Sequence, residues 1–254
     1  MTAWWNTFFD DEYADFGLTT TSDAARAARD ALLDRLTARL HVAPGDTIFD
    51  QCCGIGRLAL PLAERGFRVI GVDLAPTYAA RAQREADRRS LPCELHAGDA
   101  FEFRAPRPCD AAINWFTSFG YDEDDRQNAR MLERVFESLR PGGSFALDLI
   151  NLPRVIREFR EAAVSRHAAS GGELILIQEP RINWRRGMIE ATWTFIHPDG
   201  RRAQRRVENR VFMPHELIRL LAGVGFVDIE ACGADGEPFE AASKRLVMYA
   251  RKPD

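Results

Sequence analysis

The chain has 254 residues, 46% of them apolar, and a formal net charge of −4. That apolar content supplies a core and excludes a disordered chain. The acidic balance gives no overall attraction to nucleic acid or anionic membranes, and no apolar run approaches a membrane span.

The first ten residues are aromatic and acidic and do not read as a secretion signal. The stretch from Trp4 through Tyr13 to Phe16 is too aromatic for a free tail and is expected to bury. Ser22-Asp23 opens a helix with Ala27, Ala31, Leu32, Leu36 and Leu40 at helical spacing, and Pro44-Gly45 ends it. Strands then alternate with helices. Residues 47–49 read as a strand, 58–65 as a helix stopped by Gly66, 67–72 as a strand and 76–89 as a helix. Residues 93–96 and 110–115 read as strands. Residues 122–140 read as a helix closed by Pro141-Gly142-Gly143, and 145–150 as a fifth strand. The pattern changes over 151–212. A short helix there precedes strands at 173–178, 188–197 and 202–212, with Pro198-Asp199-Gly200 as a turn between the last two. Ile189, Ala191, Trp193 and Phe195 share one face of the middle strand. A helix at 214–222 and strands at 226–230 and 245–250 close the chain.

This order predicts one α/β domain over 1–254. Its fold is Rossmann-like and doubly wound, with a mostly parallel seven-stranded sheet and an antiparallel β excursion over the active site. Residues 1–42 form an N-terminal lid and helix, and 151–212 a substrate-side insertion. Cys52, Cys53, Cys93, Cys109 and Cys232 fit neither a zinc spacing nor a disulfide framework. Reduced thiols in a cytoplasmic protein, with no metal, are the expectation. Oligomeric state is not legible.

The stretch Asp50-Gln51-Cys52-Cys53-Gly54-Ile55-Gly56-Arg57-Leu58-Ala59 follows a strand and opens a helix. Its glycines let the backbone turn sharply and let a ligand approach, and the helix start adds unpaired N–H donors. Gly54-x-Gly56-x-x-Ala59 also matches the dinucleotide fingerprint, so a nicotinamide-dependent oxidoreductase is an alternative. Asp73, ending the second strand, suits the ribose of any adenosine cofactor. Asp50 discriminates. A diphosphate would meet its carboxylate in a low-dielectric cleft, whereas a sulfonium and an ammonium suit it.

These motifs resemble the class I S-adenosylmethionine-dependent methyltransferases, of the bacterial small-molecule type, over nearly the whole chain. The resemblance rests on Asp50 to Gly56, Asp73, Gly98-Asp99-Ala100, Asp110 to Asn114, Leu139-Arg140-Pro141-Gly142-Gly143, and the closing stretches 236–239 and 245–251. It implies S-adenosylmethionine as cofactor and S-adenosylhomocysteine as product. It implies Gly54 and Gly56 along the methionine part, Asp73 on the ribose and Leu74 on the adenine. Asp99 and the Ala100 N–H would read the adenine edge, and Asn114 and Trp115 would border the methyl group. Cys52 lies in the cofactor loop where the family often has a small residue. Asn114-Trp115-Phe116-Thr117 is not the signature of the amino-methylating DNA and glutamine enzymes.

The activity expected is transfer of a methyl group to an O or N atom of a small molecule by in-line displacement, chiefly by alignment. Other uses of the cofactor, such as cyclisation, and a non-catalytic cofactor-binding protein are the remaining alternatives. Tyr13 is the candidate to close over the cofactor. None of the five histidines carries a motif, so no catalytic base is assigned. For the acceptor, Phe116, Phe119, Trp193 and Trp115 are candidate walls and Arg210 a candidate charge. Arg210 is the most inward of a group with Arg181, Arg185, Arg186, Arg201, Arg202, Arg205 and Arg206. An acidic or aromatic small molecule is the expected partner, with no nucleic acid and no membrane.

Overall fold

The computed structural model describes residues 3–10, 13–14, 22–169 and 172–254; Phe16 lies outside the described residues. The main sheet has seven strands: β1 (Thr47–Gln51), β2 (Arg68–Asp73), β3 (Cys93–Ala97), β4 (Cys109–Asn114), β5 (Leu139–Ile150), β10 (Val227–Cys232) and β11 (Arg245–Arg251). Their spatial order is β10-β11-β5-β4-β1-β2-β3. All pairings among β1 to β5 are parallel, and β11 runs antiparallel to both neighbours. The parallel strands therefore end at one edge, where ligands bind in such sheets.

Successive side chains of a strand enter opposite cores. Ile48 of β1 packs with Leu33 and Leu36 of α2 (Asp23–Arg39), Leu62 of α3 (Ala59–Glu64) and Ala82 of α4 (Pro76–Arg88). Phe49, the next residue, packs with Met131, Leu132 and Val135 of α5 (Asp125–Ser138) and Leu217 and Leu221 of α7 (Pro214–Val224). Both faces are thus covered, which explains why the strands read as continuous apolar runs. Ser22 caps α2 by accepting from Ala25 N at 3.2 Å.

After β5, α6 (Leu152–Arg157) leads into a second, antiparallel sheet: β6 (Ala163–Ala169), β7 (Gly172–Asn183), β8 (Met188–Ile196) and β9 (Arg202–Arg210). It holds four strands where the sequence suggested three, because β6 carries no apolar alternation. A short helix, α1 (Trp5–Phe8), brings the N-terminal residues against this sheet: Arg205 of β9 donates to Phe8 O at 2.9 Å and Asp10 Oδ1 at 2.8 Å. Tyr78 of α4 donates its hydroxyl to Asp10 O at 2.5 Å. Strand and helix thereby pin the segment over the end of the main sheet.

Gly71, in the middle of β2, lies under the loop that follows β1. A Cβ there would fall 2.6 Å from Leu95 Cδ2 and 2.9 Å from Cys53 Sγ. Overpacking costs about 1–3 kcal/mol, so Gly71→Ala is expected to lower the melting temperature by roughly 2–10 °C in a thermal-unfolding scan.

Candidate active site

A cavity of about 340 Å³ opens at the carboxyl ends of β1, β2 and β4, roofed by β8 and β9 and closed by the N-terminal segment. Its floor follows from the sheet: Asp50 from β1, Asp73 and Leu74 at the end of β2, Asp99 and Ala100 after β3, and Trp115 and Phe116 after β4. Cys52 and Gly54 line it from the glycine loop. Tyr13 and Trp193 line it from above, with Trp4, Trp5, Phe9 and Tyr121.

The floor is acidic. Asp73 accepts from Gly54 N at 2.8 Å and Ala75 N at 3.0 Å. Burial raises its carboxyl from the ordinary value, and those two backbone donors oppose the rise. Asp50 is 3% exposed. Burial and the neighbouring Asp73 push its carboxyl up to about 8, opposed only by the Ala59 N–H at the start of α3. No cation pairs with either acid among the described residues. Burial, with Asp73 and Asp50 behind it, raises the Cys52 thiol well above its usual range, which leaves it protonated and unreactive.

One cation does reach the cavity. Arg57, three residues beyond Gly54, lies with its guanidinium 4.0 Å from the centre of the Phe116 ring. It makes no ion pair with a described carboxylate, and burial lowers its pKa. Sequence reasoning missed it because a single arginine after a glycine loop has no distinguishing pattern.

A strained loop borders the cavity beside Trp115. Phe116 and Thr117 have φ of 61° and 63°, in the left-handed region that disfavours a β-branched residue. Asp148 of β5, 2% exposed, holds this loop. Its Oδ2 accepts from Phe116 N at 2.9 Å and its backbone oxygen from Thr117 N at 3.1 Å. Arg245 braces the carboxylate with bonds of 2.8 and 2.6 Å and donates to Thr117 Oγ1 at 2.6 Å. The signal for this pair was in the sequence: a lone acid in the apolar run 145–150 needs a buried partner.

Four expected site residues lie elsewhere. Gly56, at φ 83°, packs where a Cβ would sit 2.8 Å from Leu60 Cγ, so it serves the turn into α3. Asn114 is fully buried and donates to Gln51 Oε1 at 3.0 Å. Phe119 is core, 5.6 Å from the Phe212 ring. Arg210 stacks on Phe212 at 4.5 Å and pairs with Glu216 at 2.8 Å and Asp125 at 3.2 Å. The acids that occupy it lie far away in sequence or across a turn, which no strand pattern reveals. Of the other roof arginines, Arg181 pairs with Glu190, Arg205 with Asp10, and Arg186 with Glu123, Glu190 and Glu208. None of the eight lines the cavity.

Residues 48–143, which carry this floor, match the family model described as a methyltransferase domain. These residues carry a methyltransferase domain. Part of the chain is similar to the 23S rRNA (uracil(1939)-C(5))-methyltransferase of Azoarcus sp., 35% identical over 94 residues, covering 36% of this chain and 22% of that protein. Another relative is an S-adenosyl-L-methionine-dependent Diels-Alderase of Talaromyces variabilis, 31% identical, covering 45% and 39%. The matches span 22%, 47% and 39% of the first three curated relatives' own length. Among solved structures, the CcbJ methyltransferase of Streptomyces caelestis superposes with a TM-score of 0.79 at 19% identity, covering 98% of this chain and 99% of that one. A sugar N-methyltransferase of Streptoalloteichus sp. gives 0.70 at 21%, covering 96% and 92%. At such identities the likeness is one of fold, and it extends beyond the matched domain to the roofing sheet. No helix among the described residues is long and apolar enough to cross a membrane.

Asp50 and the Asp148–Arg245 brace give two predictions. Asp50 titrates near 8 when folded against ~3.9 when unfolded. Its contribution to stability is therefore full below ~4 and is lost as pH rises to about 8. Asp50→Asn should raise the ligand-free melting temperature on the order of 5 °C at pH 8 but hardly at pH 4. The same variant should lose the stabilisation that S-adenosylmethionine gives the native chain, as melting curves across pH will reveal. Removing one member of the brace leaves a buried charge alone, at a cost of about 3–5 kcal/mol. Asp148→Ala and Arg245→Met should each melt roughly 6–20 °C lower than the native chain.

Proposed function

We propose that the protein transfers the methyl group of S-adenosylmethionine to an O or N atom of a small molecule by direct in-line displacement. The observation that carries this reading is a buried acid and a buried guanidinium, neither with a partner of opposite kind, in one cavity. A buried Asp50 carboxyl without a cation and an Arg57 guanidinium without a carboxylate both face it. A ligand bearing an ammonium and a carboxylate satisfies both, and a diphosphate would add charge to an acidic floor.

When bound, S-adenosylmethionine supplies an electrophilic methyl on a sulfonium. Asp50 would take the ammonium, Arg57 and Tyr13 the carboxylate. Asp73 would take the ribose, Asp99 and Ala100 the adenine edge, with Leu74 on its face. Trp115 and Phe116 would set the space beside the methyl carbon, and the N-terminal aromatics would keep water out. With Asp50, Asp73 and Asp99 engaged by the cofactor, no histidine, lysine or glutamate among the described residues is left in the lining to serve as a base. An amine that enters unprotonated needs no base, so this lining favours an amine over a hydroxyl. Ion pairing of Arg181, Arg186, Arg205 and Arg210 argues for a small molecule over nucleic acid, and the five free thiols agree with a cytoplasmic setting.

Calorimetry with S-adenosylmethionine, S-adenosylhomocysteine and NADH tests the reading. The first two should bind, and Asp73→Ala should weaken both by about 10–100-fold. Heat from NADH alone would turn the assignment to an oxidoreductase. Mass spectrometry of turnover mixtures should find an acceptor heavier by one methylene; a rearranged product without that gain would mean cyclisation instead.

A further inference from the structure

A second cavity, of about 310 Å³, lies beside the first. Ile150 at the end of β5 and Ile189 on β8 line both, so the two share a wall. Their chemistry differs. Towards the roof the first cavity presents Ile189, Trp193, Val207 and Asn209, none of them charged. The second is lined by three cations, Arg154, Arg160 and Lys244, against one carboxylate, Glu158. That carboxylate is already engaged, with Arg154 at 2.9 Å and Arg157 at 3.1 Å. Arg160 and Lys244 make no ion pair among the described residues.

The cationic rim is also built. Asn151, 2% exposed, accepts from Arg154 N at 3.3 Å and so caps α6. Its side-chain amide donates to the backbone oxygens of Glu240, Ala241 and Ser243 at 3.3, 3.2 and 2.7 Å. One buried side chain therefore ties the helix that carries Arg154 to the turn that carries Lys244. Arg181, Arg186, Arg205 and Arg210, in the roof, already have acidic partners. At the second cavity the cations outnumber the acids, and an anion would relieve their repulsion.

We propose that this second cavity is a subsite for an anionic group, a carboxylate or a phosphate, on the acceptor. The inference rests on the methyl-transfer reading. The reacting atom occupies the first cavity, whose aspartates that reading gives to the cofactor, and the charge lies across the Ile150–Ile189 wall. The acceptor is accordingly an apolar or aromatic amine that also carries an acid.

The test uses the full chain saturated with S-adenosylhomocysteine and titrated calorimetrically with para-aminophenylacetate, para-aminophenyl phosphate and the neutral para-aminophenylacetamide. At least one anion should bind about tenfold tighter than the amide. The double variant Arg160→Ala, Lys244→Ala should erase that preference and keep S-adenosylhomocysteine affinity within about twofold of native. The stronger of the two anions identifies the group. Equal binding of all three, no binding by either anion, or a preference that survives in the double variant overturns the subsite. If the native chain fails to bind S-adenosylhomocysteine, the methyl-transfer reading falls first and takes the subsite with it.

Discussion

Two acids buried without a cation at the ends of β1 and β2 are the constraint on which this site depends. The parallel sheet makes it unavoidable, because it delivers Asp50 and Asp73 to the same edge. Backbone donors offset their burial in part: Gly54 and Ala75 for Asp73, and Ala59 at a helix start for Asp50. Those donors exist because the chain turns from strand to helix there, leaving N–H groups without intrahelical partners. The raised carboxyls of Asp50 and Asp73 ionise readily only when a cation arrives beside them. The same fold with a neutral residue at 50 would be easier to fold and less able to discriminate a sulfonium nucleoside from a dinucleotide.

Strain is placed beside the same cavity. Cys52, Phe116 and Thr117 all lie at positive φ without being glycine. Such conformations persist only where the surroundings over-determine them. At Phe116 and Thr117 the surroundings are Asp148 and Arg245, which bond to both backbone amides and one hydroxyl. The brace reaches the loop from β5 and β11, one strand beyond the cavity floor. That is why β11, reversed and last in the chain, bears on the geometry of a loop more than a hundred residues earlier.

The main sheet was legible because buried parallel strands write themselves as apolar runs between turn signals. Strands at 93–96 and 245–250 and the helix at 76–89 differ from the structure by a residue. The roof was less legible. Ile189 and Trp193 do face the cavity as their alternation implied, but Ala163–Ala169 holds its place by pairing with β7, which leaves no apolar signature. In the site, the acids and glycines that turn a strand into a helix could be read locally. Arg57 and Arg245 could not, since what each does depends on a partner brought near by the fold; Asp148 stood out as a lone acid in an apolar run, but its partner did not. Phe119 and Arg210 were misplaced for the same reason: an aromatic or a cation near a loop says nothing of the direction in which it points.

The arginines make the general point about charge. Composition suggested a basic roof, and the roof does carry many arginines, yet charge on a surface counts only when it is unpaired. Glu190 engages both Arg181 and Arg186, Asp10 engages Arg205, and Glu216 with Asp125 engages Arg210. Those four arginines are turned to their acidic partners, and none of them lines the first cavity. Beyond the Ile150–Ile189 wall, Arg160 and Lys244 have no acidic partner among the described residues. A molecule that spans this boundary would be held at its anionic end by the unpaired cations, with the apolar wall fixing its orientation relative to the methyl carbon.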